Sequence, residues 1–381
     1  MSIIQQQDAD RHPDVAIFAA TSGHSGVDRI FKNLVPWLGK SGYRVDVLTI
    51  EGHGPSLQDL PDMIRVLNLG TRHVASALPP LVRYLRKHRP EALLTDKDRV
   101  NRTACLARRL AGGPTRLYLR LGTNVSTNLA SRGFLDRWTQ KLSMRYLYAQ
   151  ADGLLFPAKS IADDFICMTG LKAEKVKVVP SPIVKDDIFS KGLEPAEHPW
   201  FRNKTSPVVL GVGELSGRKN FEMLVKAVAQ VQETRTCRLI LLGKGKRRAS
   251  LKSLSEKLGI ADRVDLPGFV ENPYPFIASA DVVVVSSRWE GLAVVLIEAL
   301  ALGTPVISTD CPSGHRDVLR NGSIGFLIPI DDHSGMAQAI FKTLNDPVPQ
   351  KTLQEAARPY EIERSTQAYL EAMGFVSSAR R

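Results

Sequence analysis

Glu290 and Glu298, with seven residues between them, are the side chains of this sequence whose type and spacing point most clearly to chemistry. They sit in the run Ser286-Ser287-Arg288-Trp289-Glu290-Gly291-Leu292-Ala293-Val294-Val295-Leu296-Ile297-Glu298, directly after the apolar stretch 281–285. An ionised carboxylate only accepts hydrogen bonds, so two of them can hold hydroxyl groups at opposite ends of one ligand. A fully helical span at ~1.5 Å per residue would separate the pair by roughly 12 Å, about the length of a sugar-diphosphate-ribose unit. The plainer reading is a capping-region glutamate followed by an exposed one.

The elements that must position the pair favour the ligand. Residues 281–285 read as a buried parallel strand, the two serines as a turn, and Leu292 onward as a helix with apolar residues at helical spacing. A helix N-terminus that opens at the carboxyl edge of a strand is where open α/β sheets bind ligands, and its free N–H groups favour a phosphate. Gly291, Leu292, Ala293 and Val294 are the expected mouth of such a site. A second strand, 207–213, ends in Gly213 and runs through Glu214-Leu215-Ser216-Gly217-Arg218-Lys219-Asn220 into a helix over 221–232. Arg218 and Lys219 would face the same cleft as Glu290; the alternative for them is a solvated loop.

These residues resemble a known family. Glu290 and Glu298, followed by Ala299-Leu300-Ala301-Leu302-Gly303-Thr304-Pro305-Val306-Ile307, are similar to the donor-site signature of the retaining glycosyltransferases of family 4 (group 1), typified by bacterial mannosyltransferases and sucrose synthase-like enzymes. The resemblance covers most of the chain and is strongest over 208–325. It implies an α/β GT-B fold, two Rossmann-like domains facing across a cleft, and a nucleotide-sugar substrate with no cofactor. Glu290 then orients the sugar, Glu298 holds the ribose, and Lys219 holds the diphosphate. The family's partner arginine falls at Glu214, and a carboxylate cannot stabilise a diphosphate leaving group. Either Arg218 supplies the second charge or leaving-group stabilisation is weakened. Gly243, just after the strand 237–242, and Phe269 and Val270, at the end of a strand read over 264–270, lead into loops that surround the nucleotide base in the family.

Domain organisation follows from length and composition. A chain of 381 residues accommodates two domains, and 43% hydrophobic with 24% charged residues is a soluble globular balance. The expected division is an acceptor-side domain over 1–190, a donor domain over 191–354, and a tail helix from about 355 to 381 packing back on the first. The polar stretch 185–206 reads as the linker. Residues 1–13 lack the features of a signal peptide, and no apolar stretch is long enough to span a membrane, so the expectation is a cytoplasmic protein, peripheral at the inner face of a membrane. Cys105, Cys167, Cys237 and Cys311 show no paired spacing and are expected to be buried thiols.

The first domain carries weaker signals. A strand at 15–20 leads through Thr21-Ser22-Gly23-His24-Ser25-Gly26 into a helix over 27–40, and the Gly23 and Gly26 loop either admits a phosphate or merely turns the chain. Asp96-Lys97-Asp98 ends another strand. An Asp-x-Asp triplet can ligate Mg²⁺ or Mn²⁺, but the surrounding sequence fits no such fold; Asp96 and Lys97 read better as acceptor-side residues, with no metal site. Many relatives carry a histidine after the strand 117–121; here Gly122 stands in its place, leaving Arg120, Thr123 and Asn124 as cleft residues without assigned roles. His315 reads as a surface or cap residue.

A net charge of +12 asks for a partner. The cations crowd the first half, through Arg83, Arg86, Lys87 and Arg89 and on to Arg137, Lys141 and Arg145. No aromatic residues interleave with a basic stripe, which argues against nucleic acid and leaves a solvated face or an anionic membrane surface. The expected activity is hexosyl transfer, from a UDP-sugar rather than a GDP-sugar, to a glycan or polyprenyl-diphosphate-linked acceptor in cell-surface polysaccharide (lipopolysaccharide-type) synthesis. The rival reading is a degenerate, non-catalytic relative that binds a nucleotide or a partner enzyme; Glu214 and the missing histidine motivate it.

Overall fold

The computed structural model describes residues 12–375 apart from Ser22, His24, Ser25, Ser131 and Arg132. Those five residues, the first 11 and the last six include parts of the Gly23 loop, of the basic series and of the tail, whose expectations therefore lie outside the described residues. Two compact units result, Met1–Ile183 with Ile362–Arg381, and Val184–Glu361.

The first unit is built on seven strands: β1 (Val15–Phe18), β2 (Val45–Thr49), β3 (Ile64–Asn68), β4 (Ala92–Asp96), β5 (Arg116–Arg120), β6 (Gly153–Phe156) and β7 (Val176–Val178). They form one sheet in the order β3-β2-β1-β4-β5-β6-β7, and every pairing is parallel. Runs such as Val-Ala-Ile-Phe and Gly-Leu-Leu-Phe are apolar without alternation because helices cover both faces. One face buries Phe18, Leu48, Leu81, Leu93 and Phe156, the other Ile17, Phe31, Leu34, Val47 and Leu94. Val15 pairs with Val45 on one side and Ala92 on the other, so the strand order reverses between β1 and β4.

The last helix, Ile362–Ala372, belongs to this unit by direct bonding. Tyr118 Oη donates to Met373 O at 2.8 Å, and Ser365 Oγ donates to Pro180 O at 2.5 Å. Arg120 Nε donates to Tyr369 Oη at 2.8 Å. The tail is helical in two pieces, Gln350–Ala357 and Ile362–Ala372, with only the second in the first unit.

The second unit repeats the plan with β8 (Val208–Val212), β9 (Arg238–Leu242), β10 (Val264–Gly268), β11 (Val282–Val285), β12 (Val306–Thr309) and β13 (Phe326–Ile328). Their order is β10-β9-β8-β11-β12-β13, again all parallel. Both units thus show the Rossmann pattern, and in the second the order reverses between β8 and β11. The loops that leave those two strands carry Arg218, Lys219 and Glu290.

Residues 185–206 do not form a free linker. They contain the short helices Asp187–Gly192 and Pro199–Arg202 and pack on the second unit, where buried His198 meets Asp265 Oδ2 at 2.8 Å. A Cβ added at Gly192 would lie 2.6 Å from Leu302 Cδ2. Their polarity misleads because the apolar minority, Ile188 and Ala196, supplies the buried contacts. Among the described residues no helix is long and apolar enough to cross a membrane. Cys105, Cys237 and Cys311 are buried free thiols, whereas Cys167 is exposed on the outer face of its helix.

Candidate active site

Glu290 sits where the strand order of the second sheet reverses, and both nearby cations reach it. Arg218 Nη1 donates to Glu290 Oε2 at 2.7 Å, and Lys219 Nζ lies 2.7 Å from Oε1. Ser287 Oγ donates to the same Oε1 at 2.9 Å. Burial works to raise the Glu290 pKa, but Lys219, Arg218 and Ser287 outweigh it and hold the carboxyl below its ordinary value.

The two loops are fastened by bonds onto the backbone carbonyls of 217–219. Arg288 N donates to Arg218 O at 2.8 Å, Ser286 Oγ to Lys219 O at 2.8 Å, and Arg288 Nη1 to Gly217 O at 3.1 Å. Arg288 Nη2 and Asn220 Nδ2 both donate to Asp331 Oδ1, at 2.7 and 2.9 Å. Thr309 Oγ1, from the end of β12, donates to Ser287 O at 2.5 Å. Ser287, Arg288, Thr309 and Asp331 were not singled out from the sequence. The serines and Arg288 adjoin the motif and stand between an apolar strand and a charged site, a signal for supporting residues; Asp331 is remote in sequence and carries none.

The helix after Glu290 starts later than its apolar pattern suggests. It spans Val294–Leu302, with Ala293 as an extended N-cap residue at φ −71°, ψ 103°, so Leu292 and Ala293 precede it. Glu290 N donates to Pro312 O at 3.4 Å and Gly314 N to Gly291 O at 3.0 Å, and these bonds hold the approach to the helix in the neighbouring loop. The fully helical spacing of the two glutamates therefore does not apply. Glu298 is buried in the helix, not exposed. Among the described residues no side chain caps the helix and its first turn holds no acid, an N-terminus whose dipole suits an anion.

The remaining donor candidates line the carboxyl edge of the sheet. Gly213 follows β8 and Gly243 follows β9; Gly213 N donates to Leu242 O at 2.9 Å and Gly243 N to Gly268 O at 2.7 Å. Phe269, exposed after β10, has Lys244 Nζ 5.6 Å from its ring centroid, and Val270 beside it is half-buried. Glu214 is exposed, and Arg218 rather than residue 214 stands against Glu290.

His315 is fully buried rather than superficial. Its Nδ1 lies 2.7 Å from Ser308 Oγ, and its Nε2 has no partner among the described residues. Burial pushes its pKa from the ordinary 6.5 down to about 4, against the pull of nearby Glu290 and Asp310. In that interval the unfolded chain binds a proton that the folded chain refuses, so the stability from neutral His315 is complete above about pH 6.5 and is lost as pH falls towards 4. The expected loss is on the order of 3 kcal/mol. Thermal unfolding of the second unit from pH 7 to 4 should show it, and His315→Leu should flatten the dependence over that window.

The first unit's candidates divide. Asp96 and Arg120 are buried and paired with each other; Arg120 Nη2 donates to Ser181 Oγ at 2.8 Å. With Tyr369 on Nε, the guanidinium is spent on joining the last helix to β4 and β5, which corrects its reading as a cleft residue. Asp98 binds Arg102 at 2.6 Å and accepts from Tyr148 Oη at 2.7 Å. Gly23 has φ +84°, and Gly26 begins the helix Gly26–Lys40. Thr123 is exposed and accepts from Asn128 Nδ2 at 2.8 Å, while Asn124 is buried with its Oδ1 unpartnered among the described residues. Lys97, at φ +73°, lines a cavity of about 840 Å³ at the carboxyl edge of β1 and β4, with Arg72, His73, Arg99 and Arg102.

Comparisons with known proteins give the family and the fold. The family described as Glycosyl transferases group 1 matches residues 195–360, and the Glycosyl transferase 4-like domain matches 25–182. The chain belongs to the group 1, family 4 type glycosyltransferases, and its fold is GT-B. An N-acetylgalactosaminyltransferase of Campylobacter jejuni, named for a diphospho-undecaprenol-linked acceptor, is 29% identical over 68% of this chain and 69% of its own. The lipopolysaccharide core biosynthesis glycosyltransferase LpsE of Rhizobium meliloti is 35% identical over 44% of this chain, and the match spans half of that relative's length. The crystal structure of Anabaena HepE with UDP superposes with TM-score 0.75 at 17% identity, covering 95% of this chain and 100% of that one.

Proposed function

We propose that this chain is a retaining, metal-independent hexosyltransferase that moves a sugar from a nucleotide diphosphate, UDP in preference to GDP, to a lipid-linked glycan at the cytoplasmic face of a membrane. The observation that carries the reading is the contact of Arg218 and Lys219 with Glu290 at the strand reversal of the second unit, beside an uncapped helix N-terminus. Breaking the bond between the anomeric carbon and the β-phosphate oxygen leaves the electron pair on that oxygen. Lys219, Arg218 and the leading N–H groups of the helix take up the charge. The acceptor hydroxyl adds to the anomeric carbon from the same face and gives its proton to a phosphate oxygen of the leaving group. As the diphosphate draws the two cations, Glu290 is released to accept from the sugar hydroxyls, and Glu298 serves the ribose.

The names of similar proteins support the nucleotide and the acceptor, since HepE is bound to UDP and the Campylobacter enzyme is named for a diphospho-undecaprenol glycan. The cations around the first unit's cavity suit a phosphate-bearing acceptor. The non-catalytic alternative loses its main motive, because Arg218 stands beside Glu290 and Lys219 whatever residue 214 is. The test is incubation with UDP- and GDP-hexoses, a polyprenyl-diphosphate glycan and a chelator, with the product's anomeric configuration read by NMR. Transfer with retained configuration is expected; an inverted product or full dependence on a divalent cation would refute the mechanism.

A further inference from the structure

We infer that the helix Phe134–Ser143, with the π-helical turn Met144–Tyr148 that continues it, is an interfacial element that lies on an anionic lipid surface; this rests on the lipid-linked acceptor proposed above. An amphipathic helix on a globular unit ordinarily buries its apolar stripe, yet no residue of Phe134–Ser143 is buried. Phe134 is 81% exposed, Leu135 74%, Trp138 57% and Tyr146 64%. At 100° per residue, Phe134, Trp138 and Leu135 share one arc, Arg137 and Lys141 line one edge of it, and Arg145 lies within it.

The segment is held from behind. Met144 and Tyr148 are buried, and Tyr148 Oη donates to Asp98 Oδ1 at 2.7 Å. Gln140, on the inward side, lines the cavity that also contains Lys97, Arg99 and Arg102. The apolar arc thus faces away from the unit while its opposite side borders the basic cavity. The same element would lie on a bilayer and bring the cavity to the height of the phosphates.

Charge selects the occupant. Three cations stand against Asp136, and Lys141 and Arg145 make no ion pair among the described residues. Bulky aromatics beside cations suit a headgroup boundary, where rings enter the acyl edge and cations meet anionic headgroups. A second copy of this equally basic arc would be repelled.

Co-flotation of the whole protein with phosphatidylglycerol or phosphatidylcholine vesicles, at low and high salt, tests the assignment. The protein should float with phosphatidylglycerol at low salt and not with phosphatidylcholine. Phe134→Ser with Trp138→Ser should weaken partitioning at least tenfold. Lys141→Glu with Arg145→Glu should weaken it by about fivefold for each cation removed. All four side chains are exposed, so unchanged circular dichroism should accompany the loss. Absence of flotation, equal flotation of the variants, or a concentration-dependent dimer that the variants abolish would each overturn it. A UDP-induced thermal shift on the same preparations separates the two proposals. Lost flotation with an intact shift refutes the helix assignment alone, and flotation without a shift refutes the donor reading alone.

Discussion

Lys219→Ala should lower turnover by about a hundredfold to a thousandfold, the cost of removing one fixed donor from a developing negative charge. Lys219 Nζ is 2.7 Å from Glu290 and is the less exposed of the two cations at the site. The folded state should tolerate the change, because Glu290 keeps Arg218 at 2.7 Å and Ser287 at 2.9 Å. Glu290→Ala differs in kind. It leaves two cations facing each other without their carboxylate, so it should reduce both transfer and the melting temperature. Steady-state release of nucleotide with transfer to acceptor, alongside thermal unfolding, distinguishes the two. Turnover of the Lys219 variant within threefold of the parent would remove the lysine from the mechanism.

Gly243→Ala should have the largest effect on stability. Gly243 has φ +141°, and an added Cβ would lie 1.9 Å from Gly213 O. Neither backbone can retreat freely, since Gly213 N is bonded to Leu242 O and Gly243 N to Gly268 O. The expected cost is above about 3 kcal/mol, which for a unit of this size lowers Tm by about 10 °C or prevents folding. Gly170→Ala is the control, with φ +68°, ψ 19° and nothing within 4 Å of the added Cβ. It bears backbone strain alone and should cost about 1 kcal/mol. A Gly243 variant that melts within 2 °C of the parent would mean that the strand ends β8 and β9 separate easily.

Much of the fold was legible because buried parallel strands write themselves as short apolar runs. Val-Val-Val-Val at β11 and Arg-Leu-Ile-Leu-Leu at β9 have no alternation and little other use. The core of the site was legible for a related reason. Lys219, Arg218 and Glu290 each follow a strand directly, so topology alone carries them to one sheet edge. What escaped notice depends on contacts made across the sequence. Arg120 looked like a cleft cation because it ends β5, and only the return of Tyr369 from the last helix shows it enclosed. The apolar count of residues 292–302 reads as one helix, but the bonds between 290–291 and 312–314 delay its start. His315 is a lone histidine after a turn, and its burial against Ser308 leaves no mark in the local pattern.

The most direct measurement for a donor site in the second unit is thermal unfolding with UDP, GDP and ADP, on the parent protein and on Glu298→Ala. A nucleotide at a hundred times its dissociation constant adds about 2.7 kcal/mol to the folded state. UDP should shift the parent, GDP should shift it less, and Glu298→Ala should lose most of the UDP shift. A parent protein that none of the three nucleotides stabilises, or a Glu298 variant with the full shift, would contradict the assignment of the Arg218, Lys219 and Glu290 site to a nucleotide sugar.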